Sequence, residues 1–179
     1  SKLQCWKCHF TSTTFIPFTM LSLPIPKMES GVVVDTYDCL DSFTKPEKLI
    51  GDNSWKCPRC GEQKASLKKL SITRLPKVLI IHLERFKYSS LGGGKFEKDN
   101  RIVQIDDSLE MAGYLSSGET EGLLQKYKLN SFVSHYGTLT SGHYKAASSD
   151  IVFDDERISR SGAGLLRNGA FVVFYERVA

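Results

Sequence analysis

Leu75-Pro76-Lys77-Val78-Leu79-Ile80-Ile81-His82-Leu83-Glu84-Arg85-Phe86 is the stretch on which the fold depends. Val78 to Ile81 is an unbroken apolar run, closed on one side by Pro76 and on the other by Glu84-Arg85. A run this short, rich in β-branched residues, reads as part of a strand from Lys77 to Tyr88, buried on both faces. Strand patterns recur downstream at Tyr127 to Tyr136, Gly142 to Ala147, Ile151 to Phe153 and Ala170 to Arg177, and just upstream at Ser71-Ile72-Thr73. Ser12 to Pro26 reads as one extended strand, with Pro24 and Pro26 setting its end at an edge or outside a ladder. Asp35 is an N-cap for a helix to Phe43, with Tyr37, Leu40 and Phe43 at helical spacing. Thr44-Lys45-Pro46-Glu47 has capping-box form and predicts a second helical turn ending at Gly51. Gly92-Gly93-Gly94 reads as a loop tip, Asp106 to Gly122 as a surface insertion, and Ser159 to Gly169 as a Ser/Gly-rich connection. The fold class is therefore α+β, dominated by antiparallel strands returning to one sheet.

The 179 residues suffice for one domain with a core, and 41% apolar with 25% charged residues argues against disorder. The net charge is +4, but the basic residues are scattered and the densest pair is Lys68-Lys69. That is too little for a nucleic-acid stripe and fits a solvated surface. No apolar run approaches the ~20 residues of a membrane span, and no signal peptide is visible. The chain opens on Ser1-Lys2-Leu3-Gln4-Cys5, an abrupt lead into a metal knuckle, so a preceding N-terminal portion is expected.

Four of the five cysteines form two C-x-x-C pairs, Cys5/Cys8 and Cys57/Cys60, while Cys39 stands alone. Close pairs and an odd count point to a metal site rather than a disulfide framework, and to a reducing intracellular compartment, cytoplasm or nucleus. Two such turns supply the four thiolates that Zn²⁺ takes tetrahedrally, so one structural Zn²⁺ is expected on Cys5, Cys8, Cys57 and Cys60. The alternative is four buried free thiols; a thioredoxin-like pair is disfavoured because neither motif opens a helix in a βαβ unit. The 48 residues between the pairs exceed a single ribbon, so the fold must bring the two turns together. His9 reads as exposed rather than as a ligand, and His82 as a core histidine.

Gly142-His143-Tyr144 is followed, eleven residues after the histidine, by Asp154 in Phe153-Asp154-Asp155. Adjacent antiparallel strands can bring that imidazole and carboxylate within hydrogen-bond reach. A cysteine protease needs such a pair: the histidine takes the thiol proton and the aspartate holds its tautomer. Alone, a histidine near aspartates is more often structural.

The order of motifs raises the functional reading. Two C-x-x-C pairs are followed by Leu75 to Phe86, Tyr127-Lys128-Leu129, His135-Tyr136-Gly137, Ser141-Gly142-His143-Tyr144, Phe153-Asp154-Asp155 and Phe174-Tyr175. Asp38-Cys39-Leu40, Phe43 and Glu47-Lys48-Leu49 fall in step as well. This is similar to the second half of the ubiquitin-specific proteases, over nearly the whole chain. The resemblance implies a papain-like hand of fingers (about 1–75) and palm (about 76–179), with a variable insertion at about 106–122 and the thumb that carries the nucleophilic cysteine lying upstream. It implies a deubiquitinase that hydrolyses isopeptide bonds at ubiquitin's C-terminal glycine, with ubiquitin, ubiquitinated proteins and the N-terminal half of the catalytic domain as partners. It maps the catalytic histidine to His143, the third triad member to Asp154 and an assisting residue to Asp155. Phe86, Gly142 and Tyr144 would flank ubiquitin's Gly-Gly tail.

Two departures accompany the resemblance. The nucleophile box is not in this sequence, and a tryptophan often found before the Phe-Asp-Asp is replaced. Cys39 does not substitute for the nucleophile, because its helical neighbours assign it to packing. This chain alone is expected to hydrolyse nothing. His135 reads as structural. A non-catalytic ubiquitin-binding or scaffolding member of the family is the second reading. A zinc-ribbon nucleic-acid binder is the third, supported only by Lys7, Lys56 and Arg59.

Overall fold

A computed structural model describes residues 1–29, 31–89, 94–116, 125–160 and 162–178. The first half runs β1 (Lys2–Cys5), β2 (Thr11–Thr13), β3 (Leu21–Leu23), β4 (Val34–Asp35), α1 (Thr36–Thr44), β5 (Glu47–Leu49), β6 (Trp55–Lys56), β7 (Gln63–Lys64), β8 (Ser66–Lys69) and β9 (Val78–Leu83). The second half runs β10 (Phe86–Ser89), β11 (Lys95–Lys98), β12 (Val103–Gln104), β13 (Ser108–Glu110), β14 (Lys126–Gly137), β15 (Gly142–Ser148), β16 (Ile151–Asp154), β17 (Arg157–Ser159), α2 (Ala163–Arg167) and β18 (Ala170–Arg177). Strands far outnumber helices, as the α+β reading requires.

The large sheet has the order β17-β16-β15-β14-β18-β9-β3, with β13 added beside β14. All its pairings are antiparallel except β3 with β9. The register aligns Val152, Ala147, Phe132, Val173, Ile81 and Leu21 in one row across six strands. Every member of that row is buried. Together with Cys39 and Leu40 of α1, Val34, Val103, Leu109 and Met111, it forms the core. The row on the opposite face is Phe153, Ala146, Val133, Val172, His82 and Ser22. It is only half-buried, and Phe153 is 41% exposed. The expectation that the Val78–Ile81 run is buried on both faces therefore holds for one: Leu79, Ile81 and Leu83 are fully buried, whereas Ile80 and His82 lie on the open face.

The small sheet has the order β2-β1-β8-β5, with the hairpin β6–β7 beside it. The two sheets do not divide the chain at residue 75. Residues 21–44 join the large sheet and its core through β3, β4 and α1, so the small sheet is built from two separated segments. For the same reason Ser12 to Pro26 is not one strand. Its first part ladders with β1 and its last part with β9.

The helix after Asp35 forms as its pattern dictates. Asp35 accepts the Asp38 N–H at 2.8 Å, and Asp38 accepts the Asp35 N–H at 3.0 Å, a reciprocal capping box. The second helical turn does not form. Pro46 drives Lys45 out of the helical region to φ −59°, ψ 130°, and β5 then pairs with β8. The expected insertion at 106–122 is drawn into the fold over its first part: β13 pairs with β14, and Leu109 and Met111 are fully buried. Residues 117–122 of it, and Gly92-Gly93 of the expected loop tip, lie outside the described residues.

Arg85 is the largest fully buried side chain, at 2% exposure. Its guanidinium donates to four backbone carbonyls: Ala170 at 2.7 Å, Arg101 at 2.7 Å, Asp99 at 3.1 Å and Asn168 at 3.4 Å. It thereby ties the end of β9 to the start of β18 and to the 99–101 loop. Arg85→Met removes the fork that reaches all four and leaves these acceptors without its donors. The expected cost is about 3–4 kcal/mol, read as a fall in Tm of roughly 10 °C in calorimetry. A fall below 2 °C would show that the carbonyls find other donors.

Candidate functional site

β14 and β15 form a hairpin closed by Gly137 opposite Gly142. A Cβ on Gly137, at φ +116°, would strike the Ser141 carbonyl, and one on Gly142 would strike His135 Nε2. Both positions therefore need glycine for close approach. Lys98 Nζ donates to the carbonyls of His135 at 2.8 Å and Gly137 at 3.2 Å, fixing the hairpin's base.

His143 is the second residue of β15. β15 pairs with β16 in the register Ala146 opposite Phe153, through a turn at Ser149, whose φ is 53°. That register sets position 145 opposite 154, and strand periodicity puts His143 on the same face as residue 145. His143 Nε2 lies 2.5 Å from Asp154 Oδ1. Lys145 Nζ lies 2.7 Å from Asp154 Oδ2. The His143 hydrogen bond first, and then the Lys145 bond, hold the Asp154 carboxyl below its ordinary range. An anionic Asp154 accepts the Nε2 proton, so the His143 lone pair is on Nδ1, the atom available to take a proton. Asp155, in the left-handed region at φ 51°, has its Oδ2 at 4.0 Å from Nε2 and a side chain 78% exposed. Of the two aspartates, Asp154 makes the hydrogen bond.

The three residues expected to line a peptide tail come together around His135. Tyr144 lies with its ring centroid 4.6 Å from that of His135, and Phe86 at 5.8 Å. Phe171 completes the cluster, 5.6 Å from Phe86 and 6.1 Å from Tyr144. Gly142 lies against the His135 ring, and Tyr144 is 51% exposed. His135 is 6% exposed and its Nδ1 has no partner among the described residues. Burial, with the nearby Lys98 charge adding to it, lowers its pKa, so it is the neutral imidazole at the centre of an aromatic box. Sequence reading named the rim of this box and missed Phe171.

Cys5, Cys8, Cys57 and Cys60 gather at the tip of the small sheet, their Sγ atoms all within 4.8 Å of one another. The two C-x-x-C turns are alike. The N–H after each second cysteine returns to the first cysteine's carbonyl, from His9 to Cys5 at 3.0 Å and from Gly61 to Cys57 at 2.9 Å. Both donors adopt positive φ, 57° at His9 and 75° at Gly61. His9 is exposed. Arg59 crosses from one turn to the other, with its guanidinium 5.1 Å from the Phe10 ring centroid. Cys8 and Cys57 are 3.6 Å apart at sulfur, and Cys5 and Cys60 4.0 Å. Tetrahedral thiolates at ~2.3 Å from a zinc ion stand about 3.8 Å apart, so the donor set and its spacing fit Zn²⁺.

Cys39 is fully buried on α1, and burial, reinforced by Asp38 and Asp35, pushes its thiol up to about 12. A buried thiol held protonated in this way is poorly suited to act as a nucleophile.

The sequence model of a family described as ubiquitin carboxyl-terminal hydrolase matches residues 19–175. The chain belongs to that family. Ubiquitin carboxyl-terminal hydrolase 4 of Saccharomyces cerevisiae is 36% identical over 202 residues, which cover 99% of this chain and 21% of that protein. The probable ubiquitin carboxyl-terminal hydrolase 4 of Schizosaccharomyces pombe is 36% identical over 189 residues, covering 99% of this chain and 31% of its own. Among solved structures, the SAGA Ubp8/Sgf11/Sus1/Sgf73 DUB module bound to ubiquitin aldehyde superposes with a TM-score of 0.80 at 30% identity, over 99% of this chain and 40% of that one. This family member thus spans about a fifth to a third of the length of those two curated relatives. No helix among its described residues is long and apolar enough to cross a membrane.

Proposed function

We propose that this chain is the finger-and-palm portion of a deubiquitinating thiol hydrolase and supplies its general base. The observation that carries the reading is the His143 Nε2 to Asp154 Oδ1 bond of 2.5 Å, which leaves Nδ1 as the basic atom in a member of a ubiquitin hydrolase family. The nucleophilic cysteine comes from a thumb segment N-terminal to Ser1. Nδ1 takes the thiol proton, and the thiolate attacks the carbonyl carbon of ubiquitin's last glycine. The imidazolium returns that proton to the departing lysine amine, leaving a thioester. Water then attacks the thioester with Nδ1 again as base, and the thiol is re-formed as ubiquitin leaves. Asp154 steadies the imidazolium in both steps, while Asp155 adds a second, more distant negative charge.

The aromatic box of Phe86, His135, Tyr144 and Phe171 beside Gly142 is the proposed wall for the Gly-Gly tail. A slim, side-chain-free peptide suits a site where even this chain's own Gly142 has no room for a Cβ. The half-buried row from Phe153 to His82 is the proposed seat of the thumb segment. Cys5, Cys8, Cys57 and Cys60 would hold one Zn²⁺, whose chemistry there is structural: four thiolates close the set and leave no open coordination position. Unpaired cysteines at this density suit a reducing compartment, cytoplasm or nucleus.

A fluorogenic amide of the ubiquitin C-terminus tests the reading. The purified chain alone is expected to release no fluorophore above background, and addition of the upstream segment is expected to restore turnover. Robust turnover by the chain alone, lost on Cys39→Ser, would overturn it.

A further inference from the structure

The geometry points to Lys145 as a positioning residue that commits His143 to Asp154 rather than to Asp155. This rests on His143 being the general base proposed above. Two carboxylates lie near one ring nitrogen: Asp154 Oδ1 at 2.5 Å and Asp155 Oδ2 at 4.0 Å. An imidazole midway between two acceptors has two orientations, and only one can aim Nδ1 at a given nucleophile. Asp154 is held by more than the imidazole. Its second oxygen receives Lys145 Nζ at 2.7 Å. The carboxyl torsion of an aspartate is broad and is not fixed by one hydrogen bond. A bond at each oxygen, from two side chains two residues apart on one strand, removes that freedom. Asp155, by contrast, has no ion pair with Lys or Arg among the described residues and is largely in solvent.

The strand register builds this arrangement. Lys145 stands directly across from Asp154, and His143 diagonally, all on one face. The other cation near Asp154 is Arg157, its register partner on β17. Arg157 is exposed and makes no ion pair with Asp154 among the described residues. The groups facing the carboxyl are thus His143 and Lys145 from β15, Arg157 from β17 and the neighbouring Asp155. Contact, and not merely positive charge nearby, separates Lys145 from Arg157, and that makes Arg157 the internal control.

The test needs neither ubiquitin nor a nucleophile. The chain is labelled with ¹³C and ¹⁵N, and NMR follows the Asp154 side-chain carbon against pH and the two His143 ring nitrogens at neutral pH. In the native chain the Nε2–H form of His143 dominates. Lys145→Met is expected to move the Asp154 titration upward, because a cation favouring the anion is gone. It is also expected to broaden or split the His143 nitrogen signals as the ring divides between two carboxylates. Lys145→Arg restores both, and Arg157→Met leaves both at their native values. Adding Asp155→Ala to Lys145→Met returns His143 to one environment, a coupling not seen when Asp155→Ala is made alone. Lys145 is partly exposed, so Lys145→Gln serves as a second variant should the methionine perturb folding. Native-like Asp154 and His143 signals in folded Lys145→Met or Lys145→Gln would overturn the assignment. So would an equal response to Arg157→Met. Because the readout contains no turnover, a failure of the deubiquitinase reading would appear in the fluorogenic assay and leave this result standing or falling by itself.

Discussion

His143→Ala in the assembled enzyme is expected to lower kcat by roughly 10³–10⁴-fold while KM for a ubiquitin C-terminal amide stays within about twofold. The substitution removes the proposed general base and leaves the aromatic box and the small sheet intact. Asp154→Ala should follow within about a hundredfold of that loss, since the imidazole keeps its base but not its tautomer. Asp155→Ala should cost no more than a few-fold, because its carboxylate stands at 4.0 Å and in solvent. The inverse order would move the triad by one residue. The pH dependence has a definite sign. The folded Asp154 carboxyl titrates below its ordinary range, owing to His143 and then Lys145. Whatever this anion contributes to stability is fully present above the unfolded carboxylate pKa. It is lost as pH falls through the lowered folded value. An acid limb of activity above the ordinary carboxylate range therefore belongs to another group.

Cys57→Ser is expected to take zinc from one ion per chain to near none and to unfold the small sheet. The two cysteine turns come from segments separated by the whole of β3, β4 and α1, joined by the β1–β8 ladder and by exposed contacts such as Lys7 with Glu62 and Arg59 with Phe10, so the proposed metal would be their strongest tie. Metal binding free energy in such a site is folding free energy, on the order of 10 kcal/mol in isolated zinc fingers. In circular dichroism and elemental analysis, a chelator should reproduce the variant and added zinc should reverse the chelator. Cys39→Ser, on α1 and outside the four-cysteine cluster, should release no metal. A chain purified without chelator that carries no zinc would contradict the assignment, and the four sulfurs would then stand as packed thiols.

What could be read from sequence divides by the range of the forces involved. α1 was legible because Asp35, Asp38 and the Tyr37, Leu40, Phe43 spacing act within a few residues. The cysteine turns were legible because each closes on itself. The histidine–aspartate pair was legible only through a short hairpin, since Gly142 to Asp154 leaves room for little else between the strands. By contrast, the helical turn expected after Thr44 is overridden by pairing of β5 with β8, which sets Glu47 against Lys68 twenty-one positions on, and local propensity carries no word of it. Leu109 and Met111 sit in a polar neighbourhood of sequence, yet β14 pulls them into the core. Lys145 carries no local signal for a related reason. On a strand, residue 145 shares a face with 143, but only the register with β16 shows that Asp154 faces both. Arg85 stands in the Leu75–Phe86 stretch with no role legible there, because its four partners are backbone carbonyls drawn from two distant places, residues 99–101 and 168–170.

The division of labour between this chain and a separate nucleophile can be read directly with a ubiquitin carrying a C-terminal vinyl sulfone. The probe is mixed with the chain together with its upstream segment, and the adduct is located by mass spectrometry. The expected adduct lies on a cysteine of the upstream segment and is lost with His143→Ala. An adduct on Cys39, or on any cysteine of the chain when it is incubated alone, would contradict the assignment of this chain as the general-base half.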